Sequence, residues 1–271
     1  MIVEFIGTPG AGKTTLLPTA AQYLRERGFE TYTVVEASRV FAKRTTIGKA
    51  VNSLAPAFLG GPLMWQVFYR YSRSHRRRFE NKEPDLFRQV DDWQKQRPAS
   101  ADADQRRALY WFDRTAGYYA FLSAHIQENE AVLFDEGFVH RVVQLFTSPE
   151  EKPEPSRILA YADLVPRSDL VIHAAAPTDV CLRRIHKRGL WKHYGHKNET
   201  EIAQFISHAC QAVTLMVGRL KSLGWTVIEV DNSGNDPDHA REELRARMAD
   251  LWLPSGQAKV APALVQQVEA S

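Results

Sequence analysis

Cysteine is scarce in this 271-residue chain: Cys181 and Cys210 are its two, and neither belongs to a C-x-x-C pattern. That excludes a disulfide framework and suits reduced thiols in a cytoplasmic protein. Long apolar runs are missing as well; nothing approaches the ~18 consecutive apolar residues of a membrane-crossing helix. The first apolar run begins at Ile2, so no signal core or cleavage site is expected ahead of it. Neither sign of charge dominates. With 35 Lys and Arg against 32 Asp and Glu, the formal charge is +3, which by itself gives no argument for a nucleic-acid partner. Internal repeats and low-complexity tracts are also lacking. What remains is a length suited to one elaborated domain, and a partner that must be inferred from local sites.

The strongest local site comes first. Ile2-Val3-Glu4-Phe5-Ile6 is a short apolar run fit for a buried strand, and Gly7-Thr8-Pro9-Gly10-Ala11-Gly12-Lys13-Thr14-Thr15 follows without a gap. This is a complete G-x-x-x-x-G-K-[ST] phosphate loop. Its glycines let backbone N–H groups turn inward around an anion, Lys13 can reach the β- and γ-phosphates, and the Thr14 hydroxyl can ligate Mg²⁺. Leu16, Leu17, Ala20, Ala21 and Leu24 then keep helical spacing, so the loop opens a helix whose N-terminal dipole also favours phosphate.

Further along, Thr31-Tyr32-Thr33-Val34-Val35 reads as a second strand ending at Glu36. An acid there could take a proton from a substrate hydroxyl or hold Mg²⁺ through water. Residues 38–130 carry helical periodicity and almost no strand signal. Helices are expected near 40–54, 63–79, 84–96 and 104–127, broken at Pro56, at Gly60-Gly61-Pro62 and at Arg97-Pro98. In the last helix Leu109, Phe112, Ala116, Tyr119 and Ile126 form the apolar stripe, while Tyr110, Trp111, Asp113, Arg114 and Tyr118 fall to its sides. Such a stripe is read first as core, but the insert would overhang the phosphate loop, and aromatic or Arg side chains on its inner face could grip an acceptor. The densest basic run, residues 69–78, reads first as a solvated helix face, with an anionic acceptor, lipid headgroup or polyanion surface as the alternatives.

Ala131-Val132-Leu133-Phe134-Asp135 describes a buried parallel strand that carries a carboxylate to the sheet's catalytic edge, as a Walker B Asp does for Mg²⁺. Glu136, His140 and Arg141 follow, with His140 read as a packed residue before a base. Residues 149–155 are a loop by composition. A strand over 169–174 precedes a helix in which Arg184 and Arg188, four apart, share one face and suit the charge of a phosphoryl group in transfer. Residues 189–197 read as a basic flap. His186, His193 and His196 lack the compact spacing of a zinc site. A helix over 201–223, a strand over 225–231, the loop Asn232-Ser233-Gly234-Asn235, a helix over 237–251 and a flexible tail over 254–271 complete the chain.

In this order the motifs resemble the P-loop kinases of the nucleoside and nucleotide kinase group, which includes deoxynucleoside and thymidylate kinases. The resemblance implies an α/β fold: a doubly wound, parallel five-stranded sheet in a single domain over 1–253, with an acceptor-side helical insert at 38–130 and a lid at 184–200. It also implies that residues 7–15 bind ATP phosphates and Mg²⁺, that Arg184 and Arg188 belong to the lid, that Glu36 acts as base, and that Asn232 lies where adenine rests. Such kinases carry an acid-Arg pair after the third strand. Here that pair is Asp135-Glu136, leaving Arg39, Arg114 or Arg141 to supply the guanidinium.

The expected activity is transfer of a phosphoryl group from ATP with Mg²⁺ to a small-molecule acceptor, a nucleoside or nucleotide in the first place. Lys13, Arg184 and Arg188 would stabilise transferred charge, Thr14 and Asp135 position Mg²⁺, and Glu36 or Asp135 orient the nucleophile. No nucleic acid and no membrane span is expected, and a homodimer is left open. Two other classes fit less of the pattern. One is a nucleotide-binding regulator with slow ATPase activity and a protein partner; the other is a sulfotransferase-like enzyme, which the full Gly12-Lys13-Thr14 signature disfavours.

Overall fold

The computed structural model describes residues 1–54, 57–96, 102–189, 197–234 and 236–251; side chains at 57–60, 102 and 103 are left aside. The breaks expected at Pro56 and Arg97-Pro98, the flap over 190–196, Asn235 and the tail over 254–271 lie outside the described residues.

The chain is built around β1 (Ile2–Ile6), whose five residues are all buried. The phosphate loop leads from it into α1 (Lys13–Glu26), and then come β2 (Glu30–Thr33), α2 (Val34–Ala42), α3 (Thr46–Leu54), α4 (Ala57–Lys82), α5 (Pro84–Lys95) and α6 (Asp102–Ser123). β3 (Glu130–Phe134) returns to the sheet and is followed by α7 (Phe138–Phe146) and α8 (Pro155–Leu164). β4 (Leu170–Ala175), α9 (Thr178–Arg188), α10 (Glu199–Ser222), β5 (Val227–Asp231) and α11 (Pro237–Leu251) complete it.

The strands form one five-stranded sheet in the order β2-β3-β1-β4-β5, every pair parallel. β1 and β3 are buried throughout, as parallel strands covered on both faces must be, and this explains their near-continuous apolar runs. The chain leaves β1 toward β2 and β3 on one side, and after β3 crosses to β4 and β5 on the other. That reversal opens a crevice at the carboxyl ends of β1 and β3, where α/β sheets bind ligands.

Several boundaries differ from the sequence reading. The second strand stops at Thr33, not Val35, because Thr33 caps α2: its hydroxyl accepts from the Glu36 N–H, and the Glu36 side chain accepts from the Thr33 N–H. The expected break at Gly60-Gly61-Pro62 is absent, and α4 runs through it. Burial of Met64, Val67 and Phe68 one turn later outweighs the single backbone bond a proline removes. In α6 the residues Phe112, Ala116 and Tyr119 are buried as the stripe requires, but the helix ends at Ser123 rather than at 127. α8 was hidden by the Pro-rich stretch before it; Pro155 is its first residue, a position where a missing N–H costs nothing.

Two acidic side chains of the sheet are buried: Glu130 of β3, which pairs with Arg44, and Glu4 of β1. Glu4 of β1 is fully buried, its Oε1 accepting from Ser168 Oγ at 2.7 Å and its Oε2 from the Val139 N–H at 2.9 Å. It thus meets the first turn of α7, and it sits so close to Gly137 that a Cβ there would lie 2.2 Å from Oε2. Burial pushes the Glu4 carboxyl up to about 7, against the hydrogen bonds and the Arg141 charge that favour the anion. Because the folded chain holds this proton more tightly than the unfolded one, the contribution is complete at low pH and is lost as pH rises through about 7. Glu4→Gln keeps the shape without the titration. The variant should remove a loss of stability on the order of 1 kcal/mol between pH 6 and pH 8, read by urea unfolding at both pH values.

Candidate active site

At the carboxyl edge of β1 and β3 lies a cavity of about 560 Å³. Its floor is the phosphate loop, where Pro9, Gly10, Gly12, Lys13, Thr14 and Thr15 reach the lining. Gly7, Thr8 and Ala11 lie beneath: Thr8 and Ala11 are buried, and the loop is braced by the Ala11 N–H donating to the Thr8 carbonyl at 2.9 Å. Gly12 turns the loop into α1 with φ +90°, in the left-handed region, and a Cβ there would strike Asn232 Nδ2 at 2.1 Å. Only glycine satisfies both demands.

Asn232 therefore has a part the sequence did not suggest. It is buried, its Nδ2 donates to the Ala11 carbonyl at 2.7 Å, and its own N–H donates to the Ala175 carbonyl at 2.7 Å. The residue expected to rest an adenine clamps the phosphate loop from behind, and it does not reach the cavity lining.

Lys13 Nζ donates to the Gly7 carbonyl at 2.9 Å. Desolvation lowers its ammonium to about 8, opposed first by Glu136 and then by Asp135, whose carboxylates face it. Both acids are exposed to the cavity, directly beyond the last residue of β3. From α9, Arg184 and Arg188 line the same space. Arg184 Nη2 donates to the Gly234 carbonyl at 2.6 Å, while its Nη1 is buried without a hydrogen-bond partner, a donor suited to an anionic oxygen. The lid expected over 184–200 is thus described at Arg184 and Arg188 but not across 190–196.

The donor set suits Mg²⁺. Among the described residues no group of three or more His, Cys, Asp or Glu side chains is placed to hold a metal by itself. Mg²⁺ at phosphate-transfer sites asks for less: one or two carboxylates, waters and the phosphates themselves. The exposed Thr14 hydroxyl and the Asp135 carboxylate meet that requirement.

Glu36 lies elsewhere. Its Oε2 accepts from the Thr33 N–H at 2.8 Å and from Thr33 Oγ1 at 2.9 Å, and it is not part of the cavity lining. The opposite wall comes from α6 and α7 instead, through Arg107, Trp111, His140, Val143 and Gln144, with Phe205 of α10 beside them. His140 is buried, and its imidazole is held neutral, foremost by desolvation and then by the Lys13 and Arg141 charges. Of the three arginines that could supply the expected guanidinium, Arg141 is the one against Glu136, its Nη2 donating to the Glu136 carbonyl at 2.8 Å and to Oε2 at 3.3 Å. Arg114 is held among Tyr69, Tyr110, Trp111 and Tyr118, and Arg39 is exposed on α2. Trp111 was one of several side residues the sequence offered for the insert's inner face, and Gln144 was not singled out, because the side of α6 and the turn of α7 that reach the cavity depend on how those helices dock.

Two outcomes follow from this geometry. Asn232→Ala leaves the Ala11 carbonyl buried and unpaired, which should cost about 1–3 kcal/mol in thermal unfolding and weaken Mg-ATP binding. Because Lys13 must carry its proton to pair with phosphate, Mg-ATP affinity should fall about tenfold per pH unit above about 8, a dependence lost in Lys13→Ala and measurable by calorimetry.

No protein-family model matches the chain, and no curated protein matches it. Solved structures of deoxyadenosine kinase from M. mycoides are similar to it. The complex with dATP has a TM-score of 0.44 at 12% identity, covering 92% of this chain and 100% of that one. The dCTP complex gives 0.43 at 12%, and the complex with dCMP and dCDP gives 0.41 at 13%, with the same coverage. With likeness at that level, the roles of individual residues rest on the geometry of this chain's own cavity.

Proposed function

We propose that this protein is an ATP- and Mg²⁺-dependent phosphotransferase acting on a small-molecule acceptor, with a nucleoside or nucleotide as the acceptor class favoured by the order of its motifs. The observation that carries this reading is the sharing of one cavity by the phosphate loop, two carboxylates, two lid-side guanidiniums and a separate wall from the helical insert. A nucleotide-binding regulator would need the first of these features and not the last. A sulfotransferase would not need paired carboxylates facing Lys13 and Thr14.

The chemistry divides across the cavity. N–H groups of the loop and Lys13 bind the donor's phosphates, and Arg184 and Arg188 balance the charge that spreads over the γ-phosphoryl oxygens. Mg²⁺, when bound beside Thr14 and Asp135, would neutralise charge between the β- and γ-phosphates. Trp111, Val143 and Phe205 give an apolar surface for the acceptor, which keeps water from competing with its hydroxyl or phosphate oxygen. Burial of His140 as a neutral imidazole removes it as a competing cation.

Mg-ATP incubated with pooled nucleosides, nucleotides, sugars and aminoglycosides should yield ADP and a phosphorylated product in one pool. Lys13→Ala should lower that rate at least about 10²-fold while its circular dichroism melt stays that of the parent. Equal, slow ADP release in every pool, altered by a protein partner, would instead favour the regulator.

A further inference from the structure

The helical insert and α7 meet at a single buried cation. Arg141, 4% exposed, sends Nε to Thr115 Oγ1 of α6 at 2.9 Å, Nη1 to the Gln144 side chain, and Nη2 to the carbonyl and carboxylate of Glu136. Its guanidinium also lies 5.7 Å from the Trp111 ring centroid. Glu136, Gln144 and Trp111 all line the cavity, whereas Arg141 does not. Burying an unneeded guanidinium costs several kcal/mol of desolvation, and an apolar side chain of similar volume would serve stability as well or better. What the cation supplies is placement: one rigid fork sets the positions of three cavity-wall side chains at once.

The two acids after β3 are not equivalent under this arrangement. Asp135 directly follows the strand and makes no hydrogen bond or ion pair to another side chain among the described residues. Glu136 is anchored through Oε2 toward α6 and α7, the side on which an acceptor would lie, and a single hydrogen bond leaves its other oxygen able to accept. A carboxylate that coordinates Mg²⁺ has its lone pairs drawn into the metal, so metal binding and proton removal call for separate groups. Glu36, tied into its capping box outside the cavity, supplies neither.

Building on the phosphotransferase reading, we infer that Glu136 takes the proton of the attacking acceptor hydroxyl and that Arg141 is the positioning residue that holds it there. In the step, the acceptor oxygen forms its bond to the γ-phosphorus as its proton passes to the Glu136 carboxylate. The bond between the γ-phosphorus and the β,γ-bridging oxygen breaks, and its electron pair stays on that oxygen in ADP. Glu136 then returns the proton to water.

The test is a double-mutant cycle on the acceptor found in the panel above. Glu136→Gln should lower kcat about 10²-fold, with KM for ATP unchanged. Arg141→Lys, which keeps the charge but loses the fork, should lower kcat about tenfold in the parent and less than twofold in the Glu136→Gln background. Should that variant fail to fold, Thr115→Val, which removes the Nε anchor, gives a smaller loss that should vanish in the same background. Full kcat in Glu136→Gln, or an equal loss from Arg141→Lys in both backgrounds, overturns the assignment and leaves the phosphotransferase intact. If the parent transfers to no acceptor and its ADP release does not depend on Lys13, the wider reading falls and this one falls with it.

Discussion

A short backbone turn between a buried strand and a helix has to present several N–H groups to one point in space, and most of the molecule answers to that requirement. The turn cannot hold itself. Gly12 adopts a left-handed conformation there, and the loop's Ala11 carbonyl needs a buried donor, which comes from Asn232 at the far end of the chain. β1 and β3 then place Asp135 and Glu136 opposite the lysine that the turn delivers. Desolvation in a partly dry crevice lowers the Lys13 ammonium, and the two acids that face it work against that shift and hold its charge.

A second constraint runs below the first. Glu4 and Arg141 are both buried, both ionisable, and both in contact with the segment from Glu136 to the first turn of α7. Each alone would be costly to bury. Together, with Ser168, Thr115 and Gln144 as neutral partners, they spread hydrogen bonds from the central strand out to the insert. The segment from Glu136 into α7 is therefore tied through Glu4 to the sheet on one side and through Arg141 to α6 on the other.

The basic run at 69–78 illustrates how a linear reading resolves in three dimensions. Arg76 turns toward Glu80 and Asp113 and is spent on joining α4 to α6. Arg73 lies over Tyr69, and Arg70, Arg77 and Arg78 are exposed on the same helix. The run is the outer face of α4, with Phe68 and Ser72 buried on the inner one. Surface ion pairs of this kind contribute little each, on the order of 0–1 kcal/mol.

Much of this was legible in the linear chain because it depends on nearest neighbours. An apolar run with the covering of a parallel strand, a glycine turn and a lysine at fixed spacing determine β1, the phosphate loop and α1 locally, and the alternation of strands and helices determines a doubly wound parallel sheet. Asp135 was visible for the same reason, since it terminates an apolar strand. Other assignments depended on docking. Whether Glu36 ends a strand or caps a helix turned on one hydroxyl at Thr33; whether Asn232 meets a ligand or the loop turned on how β5 lies beside β4. The sequence offered Arg141 as one of three arginines and Trp111 as one of several side residues, and passed over Gln144, because a helix's periodicity says which residues share a face and not what that face meets. By itself the sequence determined the phosphate-loop motif and the strand and helix that flank it, because these depend on nearest neighbours; only the tertiary structure decided that Asn232 meets the loop and that Arg141 meets Glu136, because those contacts depend on how distant elements dock.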